Sequence, residues 1–267
     1  MKFQYKALVA ALALSAATVP AQAAMTLASS GSSSLVLSLL DNANNISATF
    51  DLGYNYSNFS DLVTAANSGS FTWDLTTGDY ADAWSTFSSV ANLSTAKWAI
   101  YAGDNTGSGV GARGIISTYV SGTKLTATQQ LNTSLGNFDS YLNGANALPS
   151  HSTTENGGST AASGNAYAGR SVAYGTAGRI NVSGHVSAGN FGDSLTVVQE
   201  LGGASVAAPT TATTLGNAQG NYTFSISNTG ALSFNVPAVT PVPEADSYAM
   251  LLAGLGVVGL VARRRKA

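Results

Sequence analysis

Ser194 follows Asp193 at the head of an alternating run, and a serine beside an acid is the first place to look for nucleophilic chemistry. A serine hydroxyl becomes a nucleophile only when a base takes its proton. The chain has two histidines, His151 and His185, and both precede Ser194. The simpler reading of residues 191–196 is a turn at Gly192-Asp193 that opens a strand. Gly109, Gly111 and Gly114 have the spacing of a dinucleotide-binding loop, but such a loop needs a helix next to hold the pyrophosphate. Ile115-Ile116-Ser117-Thr118-Tyr119-Val120 follows instead, and favours a strand. Two isolated histidines and no cysteine make no zinc or thiolate site. Asp79 with Asp82, and Asp104 with Asn105, lack the spacing of a calcium loop and are explained by caps and turns. Tyr54, Tyr56, Trp84, Trp98 and Tyr101 would stack on sugars if exposed; in a β protein such rings more often fill the core.

The block Phe191-Gly192-Asp193-Ser194-Leu195-Thr196 resembles the nucleophile block of GDSL esterases. In that family the serine lies near the start of the domain and a downstream Asp-x-x-His supplies the base. Here the block sits late and no histidine follows it, so the expectation is a non-enzyme without cofactor or metal.

Those residues belong to a body of low charge. Only 9% of the 267 residues are charged, against roughly 25% in ordinary soluble domains. Between residues 24 and 240 there are five basic and eleven acidic side chains, a net of −6, which is the wrong sign for nucleic acid. The other six cations sit at the two ends. Lys2 and Lys6 precede an apolar run from Ala7 to Ala17, then Pro20 and the small-x-small pattern Ala21-Gln22-Ala23. That order is a signal peptide, residues 1–23, cut by signal peptidase between Ala23 and Ala24. At the other end Tyr248–Ala262 is fifteen residues without charge, closed by Arg263, Arg264, Arg265 and Lys266. The expectation is a transmembrane helix over 248–262. As a helix it spans about 22 Å against a hydrocarbon core of roughly 30 Å, and the basic cluster acts as a stop signal that stays cytoplasmic.

Val242-Pro243-Glu244, the apolar helix and the terminal arginines together resemble the PEP-CTERM sorting tail of Gram-negative bacteria that make exopolysaccharide. The resemblance is confined to about the last 25 residues, with Ala245 where the motif has its second proline. It implies recognition by exosortase, an integral-membrane enzyme thought to cut near the Pro-Glu motif. It also implies transient anchoring in the inner membrane, then release to the cell surface or extracellular matrix. Pro241 and Pro243 hold the segment extended, the form a protease can grip.

The body, residues 24–240, must position whatever this protein displays. Alternation predicts strands over Ser34–Leu39, Ile46–Leu52, Arg179–Val186, Ser194–Val198, Asn221–Ser227 and Ala231–Val236, the last two a hairpin through Asn228-Thr229-Gly230. Shorter strands are expected at Phe71–Trp73 and Trp98–Ala102. Leu131, Leu135, Phe138 and Leu142 recur at helical spacing, as do Tyr80, Trp84, Phe87 and Ala91 with Asp79 as N-cap. Ser150–Ala177 reads as loop. The fold class expected is mainly β, a β-sandwich with one or two short helices. The functional expectation is an exported non-catalytic surface or matrix protein associated with exopolysaccharide in a biofilm. A carbohydrate-binding module, and a polysaccharide or ester hydrolase, are the competing readings.

Overall fold

The computed structural model describes residues 24–122, 124–149, 151, 157–170, 185–238 and 245–264. They form two compact units divided between Pro237 and Ala238.

The first unit is built on strands β1 (Ser34–Asp41), β2 (Ile46–Asn55), β3 (Ser70–Asp74), β4 (Lys97–Asp104) and β5 (Gly114–Tyr119). Then come β6 (Ser121–Gly122), β7 (Gly158–Ala161), β8 (His185–Val186), β9 (Gly189–Asn190) and β10 (Ser194–Leu201). The chain closes with β11 (Thr211–Thr214), β12 (Gly216–Asn217), β13 (Gly220–Asn221), β14 (Thr223–Ile226) and β15 (Ala231–Asn235). Eleven of these make one sheet in the order β3-β15-β14-β10-β5-β4-β1-β2-β7, with β11 on β10 and β9 on β4. Every pairing is antiparallel.

This corrects the sandwich. A long twisted sheet curls rather than staying flat, and here the curl brings one end of the sheet to the other. Trp73 on β3 donates its indole N–H to the Leu52 carbonyl of β2 at 3.1 Å. Tyr54 of β2 packs edge-on against both Phe71 and Trp73. The result is a half-barrel whose inner face is filled by its own strands. Leu35, Leu37 and Leu39 of β1, Phe50 of β2, Trp98 and Ile100 of β4, and Phe224 and Phe234 of the β14–β15 hairpin share that core. The opposite parity of the same strands, Val36, Leu40, Ala99, Tyr101 and Ile115, faces a second core. Both faces being covered, β1 is buried along its whole length, which is why its apolar run is nearly continuous.

Among the described residues three helices cover the faces, where one or two were expected. Helix α1 (Phe59–Ala66) buries Phe59, Leu62 and Ala66 on the inner side. Its eight residues are too few for a clear helical period. Helix α2 (Ala81–Val90) buries Ala83, Trp84 and Phe87 there too. Its N-cap is Tyr80, without a side-chain cap, and Asp79 lies in the preceding 3-10 turn, so the capping role expected of Asp79 is not observed. Helix α3 (Thr128–Asn146) buries Leu131, Leu135, Phe138 and Leu142 on the outer side, as its spacing predicts. Gln130 reaches back to accept the Thr126 N–H at 2.9 Å, in the manner of a capping box.

The β14–β15 hairpin forms as expected, with Phe224 opposite Phe234 and Gly230 at φ +89° closing the turn. The loop expected over 150–177 is corrected in part, because β7 lies within it and pairs with β2. A Cβ on Gly158 would lie 2.8 Å from both Ala83 Cβ and Phe50 Cδ1. That strand begins with glycine because only glycine fits between helix and sheet, and glycine reads as a loop signal. Of the strand expected at Arg179–Val186, only His185–Val186 falls among the described residues.

The second unit is helix α4 (Ala245–Arg264), whose described side chains, among them Met250, Leu252, Leu255 and Val257, are exposed. It contains the segment 248–262. No helix among the described residues is long and apolar enough to cross a membrane, which corrects the transmembrane expectation. The physical reason is that Asp246, Arg263 and Arg264 bracket an uncharged stretch of only sixteen residues.

Candidate functional site

The motifs with catalytic spacing resolve into structural features. Asp193 accepts hydrogen bonds from the Asn190 backbone N–H at 2.8 Å and the Asn190 side-chain amide at 2.9 Å. Gly192 takes φ +86°, and Ser194 is the exposed first residue of β10. This is the turn that opens a strand. The glycines at 109–114 lead into strand β5, with Ile115 and Ile116 buried. Asp104 accepts from the Thr106 N–H at 2.7 Å and Thr106 hydroxyl at 2.6 Å, an Asx-type turn. Among the described residues no group of three metal-ligating side chains occurs.

Other carboxylates anchor the backbone. Asp139 of α3 accepts from the N–H groups of Ala28 and Ser29 at 2.6 and 3.0 Å, tying the start of the body to the outer helix. Asp41 accepts from the N–H groups of Ala43 and Asn92 at 3.0 and 2.7 Å and from the Asn44 amide at 2.7 Å. Burial alone would raise its pKa, but these hydrogen bonds outweigh burial and hold it below the usual carboxylate value. The turn they organise places Asn45 at φ +50°. Asp51 accepts from the Ser34 hydroxyl at 3.0 Å, at the bulged end of the β1–β2 pair.

Of the aromatic residues named for sugar stacking, Trp84, Trp98 and Tyr101 are buried in the two cores. Tyr54 and Tyr56 are half-buried, and Tyr56 lines a cleft. The cleft lies on the inner face, where α1 and the β12–β13 segment stand apart over β5 and β10. It is an open depression of about 570 Å3, broad enough to take part of an extended ligand along the surface. Ile116 and Phe59 form apolar surface, Tyr56, Leu215 and Tyr222 the walls, and Gln199, Ser57, Ser60 and Thr64 the polar groups. No charged side chain lines it among the described residues. Gln199 donates to the Tyr56 hydroxyl at 3.1 Å. Burial pushes the Tyr56 pKa up, opposed by that hydrogen bond and reinforced by the charge of Asp104, so the phenol stays neutral. Gly114 makes room for this arrangement: a Cβ there would lie 2.0 Å from the Tyr56 hydroxyl oxygen.

Sequence reasoning missed Gln199 and Tyr222. A signal for the first existed: Gln199 continues the parity of Leu195 and Val197, a polar residue at an inward position. Tyr222 lies in a short connection before β14 and carries no such pattern.

The tail is a second functional element, linear rather than concave. Arg263 and Arg264 are exposed at the end of α4. Val242, Pro243, Glu244, Arg265 and Lys266 lie outside the described residues, as do Ala21 and Ala23 at the expected signal-peptidase site; Ala24 is exposed. The order of parts defines a C-terminal sorting signal. Residues 241–266 match the family model of the PEP-CTERM protein-sorting motif, which implies export, a membrane-anchored sorting signal in Gram-negative bacteria and exosortase as processing partner. No curated protein and no solved structure matches the chain.

Proposed function

We propose that this is an exported, non-catalytic surface or extracellular-matrix protein that associates with exopolysaccharide. Signal peptidase removes residues 1–23. The tail then holds the exported body at the inner membrane until exosortase cuts near Pro243-Glu244. Arg263, Arg264 and Arg265 form the basic end of that anchor, where cations meet the anionic headgroups of the membrane surface. Such a helix anchors weakly, which suits a signal used once and removed.

The observation that carries this reading is the match of residues 241–266 to the sorting motif. The engagement of Asp41, Asp51, Asp139 and Asp193 in backbone-organising hydrogen bonds supports the non-catalytic part. The test is replacement of Pro243 and Glu244 by alanine, followed by intact-mass measurement of the protein from membranes, cell surface and medium. The precursor should accumulate in the membrane with its tail attached. A mature C-terminus identical to that of the unaltered protein would refute the sorting role.

A further inference from the structure

We infer that the cleft over Ile116 and Phe59 is a binding site for an uncharged glycan chain, an inference that rests on the surface-protein reading for where such a ligand is met. Its polar groups are hydroxyls and one carboxamide, from Tyr56, Ser60, Thr64 and Gln199. These both donate and accept hydrogen bonds, as sugar hydroxyls do. Tyr222, half-buried and packed T-shaped against Phe234, also lines the cleft, and an aromatic ring is the surface on which the C–H edge of a pyranose stacks. No lining group compensates a carboxylate or sulfate, and the body carries a net charge of −6, so an anionic polymer is repelled.

Two other occupants fit less well. A peptide added as a strand needs a free sheet edge, but β5 is paired with β4 and β10, and β10 with β5, β11 and β14. A purely apolar ligand would strip water from Gln199 and the hydroxyls without replacing its hydrogen bonds. Ile116 and Gln199 stand on interior strands and Phe59, Ser60 and Thr64 on a packed helix, so these groups are held in place before the ligand arrives.

The test is calorimetric titration of the full-length chain in mild detergent with hexamers of glucose (β1,4 and α1,4), mannose and N-acetylglucosamine, and with an alginate hexamer. At least one neutral hexamer should bind saturably, with affinity unchanged between about 0.05 and about 0.5 M salt because no charge pair is involved. Gln199→Ala and Tyr222→Ala should each weaken binding by about tenfold, the loss of one well-placed hydrogen bond or stacking contact. Thr64→Trp, at an exposed position of α1, should block the cleft without touching the core. No binding of any neutral hexamer, tighter binding of alginate, or neutral binding that survives all three substitutions would overturn the site. The last of these would leave the surface-protein reading standing. Conversely, a functioning cleft on a chain whose tail is never processed would refute that reading and spare the site.

Discussion

Replacing His151 by leucine should abolish an acid sensitivity built into the interior of the body. The imidazole is fully buried, and neither nitrogen has a hydrogen-bond partner among the described residues. Burial lowers its pKa to about 4, the nearby Thr49 backbone opposing the shift. In the unfolded chain the value is about 6.5. The folded protein therefore binds fewer protons than the unfolded chain between these values. Stability is fully present above about pH 6.5 and is lost as the pH falls toward 4. At about 1.4 kcal/mol for each pH unit between the two values, the total is about 3 kcal/mol, and most of it has gone by about pH 4.5. Urea unfolding at pH 7 and at pH 4.5, for the unaltered protein and for His151→Leu, measures the difference directly. Staying at pH 4.5 keeps the experiment above the titration of Asp41 and Asp74, whose pKa values are lowered and whose contributions fade at more acid pH. His185 is common to both proteins and cancels. The unaltered protein should lose about 2 to 3 kcal/mol more than the variant. At pH 7 the variant should be about as stable, since an imidazole buried without a well-aligned hydrogen-bond partner among the described residues is replaced by an apolar group of similar size. Equal losses in the two proteins would show that His151 is not held neutral, and would refute the reasoning.

Three further outcomes are expected. Gly158→Ala forces a methyl group against Ala83 and Phe50 at the β7 edge, and should cost about 1–3 kcal/mol in urea unfolding. Asp139→Ala leaves the N–H groups of Ala28 and Ser29 without their acceptor; a loss of about 1–3 kcal/mol is expected, with faster hydrogen exchange at those two amides. Neutral replacements of Arg263, Arg264 and Arg265 should shift the protein between membrane and soluble fractions, and unchanged fractionation would count against the stop signal.

The parts legible in the residues were those set by near neighbours. The β14–β15 hairpin follows from two alternating runs and a turn with Gly230. Helix α3 follows from the spacing of Leu131, Leu135, Phe138 and Leu142. Helix α1 was not legible because eight residues hold too little of the period. Strand β7 was hidden because the glycine its packing demands also marks loops. An alternating run shows that a segment is a strand, but not which strands become its neighbours. A curled single sheet and a sandwich therefore look alike in the sequence.

By itself the sequence determined the address. A sorting signal is recognised as a linear segment, so Pro243, Glu244, the apolar run and the arginines carry their meaning in order and spacing. Tertiary structure decided what the body presents. The cleft joins Tyr56 to Gln199, 143 residues apart, because the β5–β10 pairing and the curl of the sheet bring α1 and the segment before β14 over the same strands. Contacts between segments so distant along the chain depend on the packing of the whole core, and no local pattern of residues encodes them.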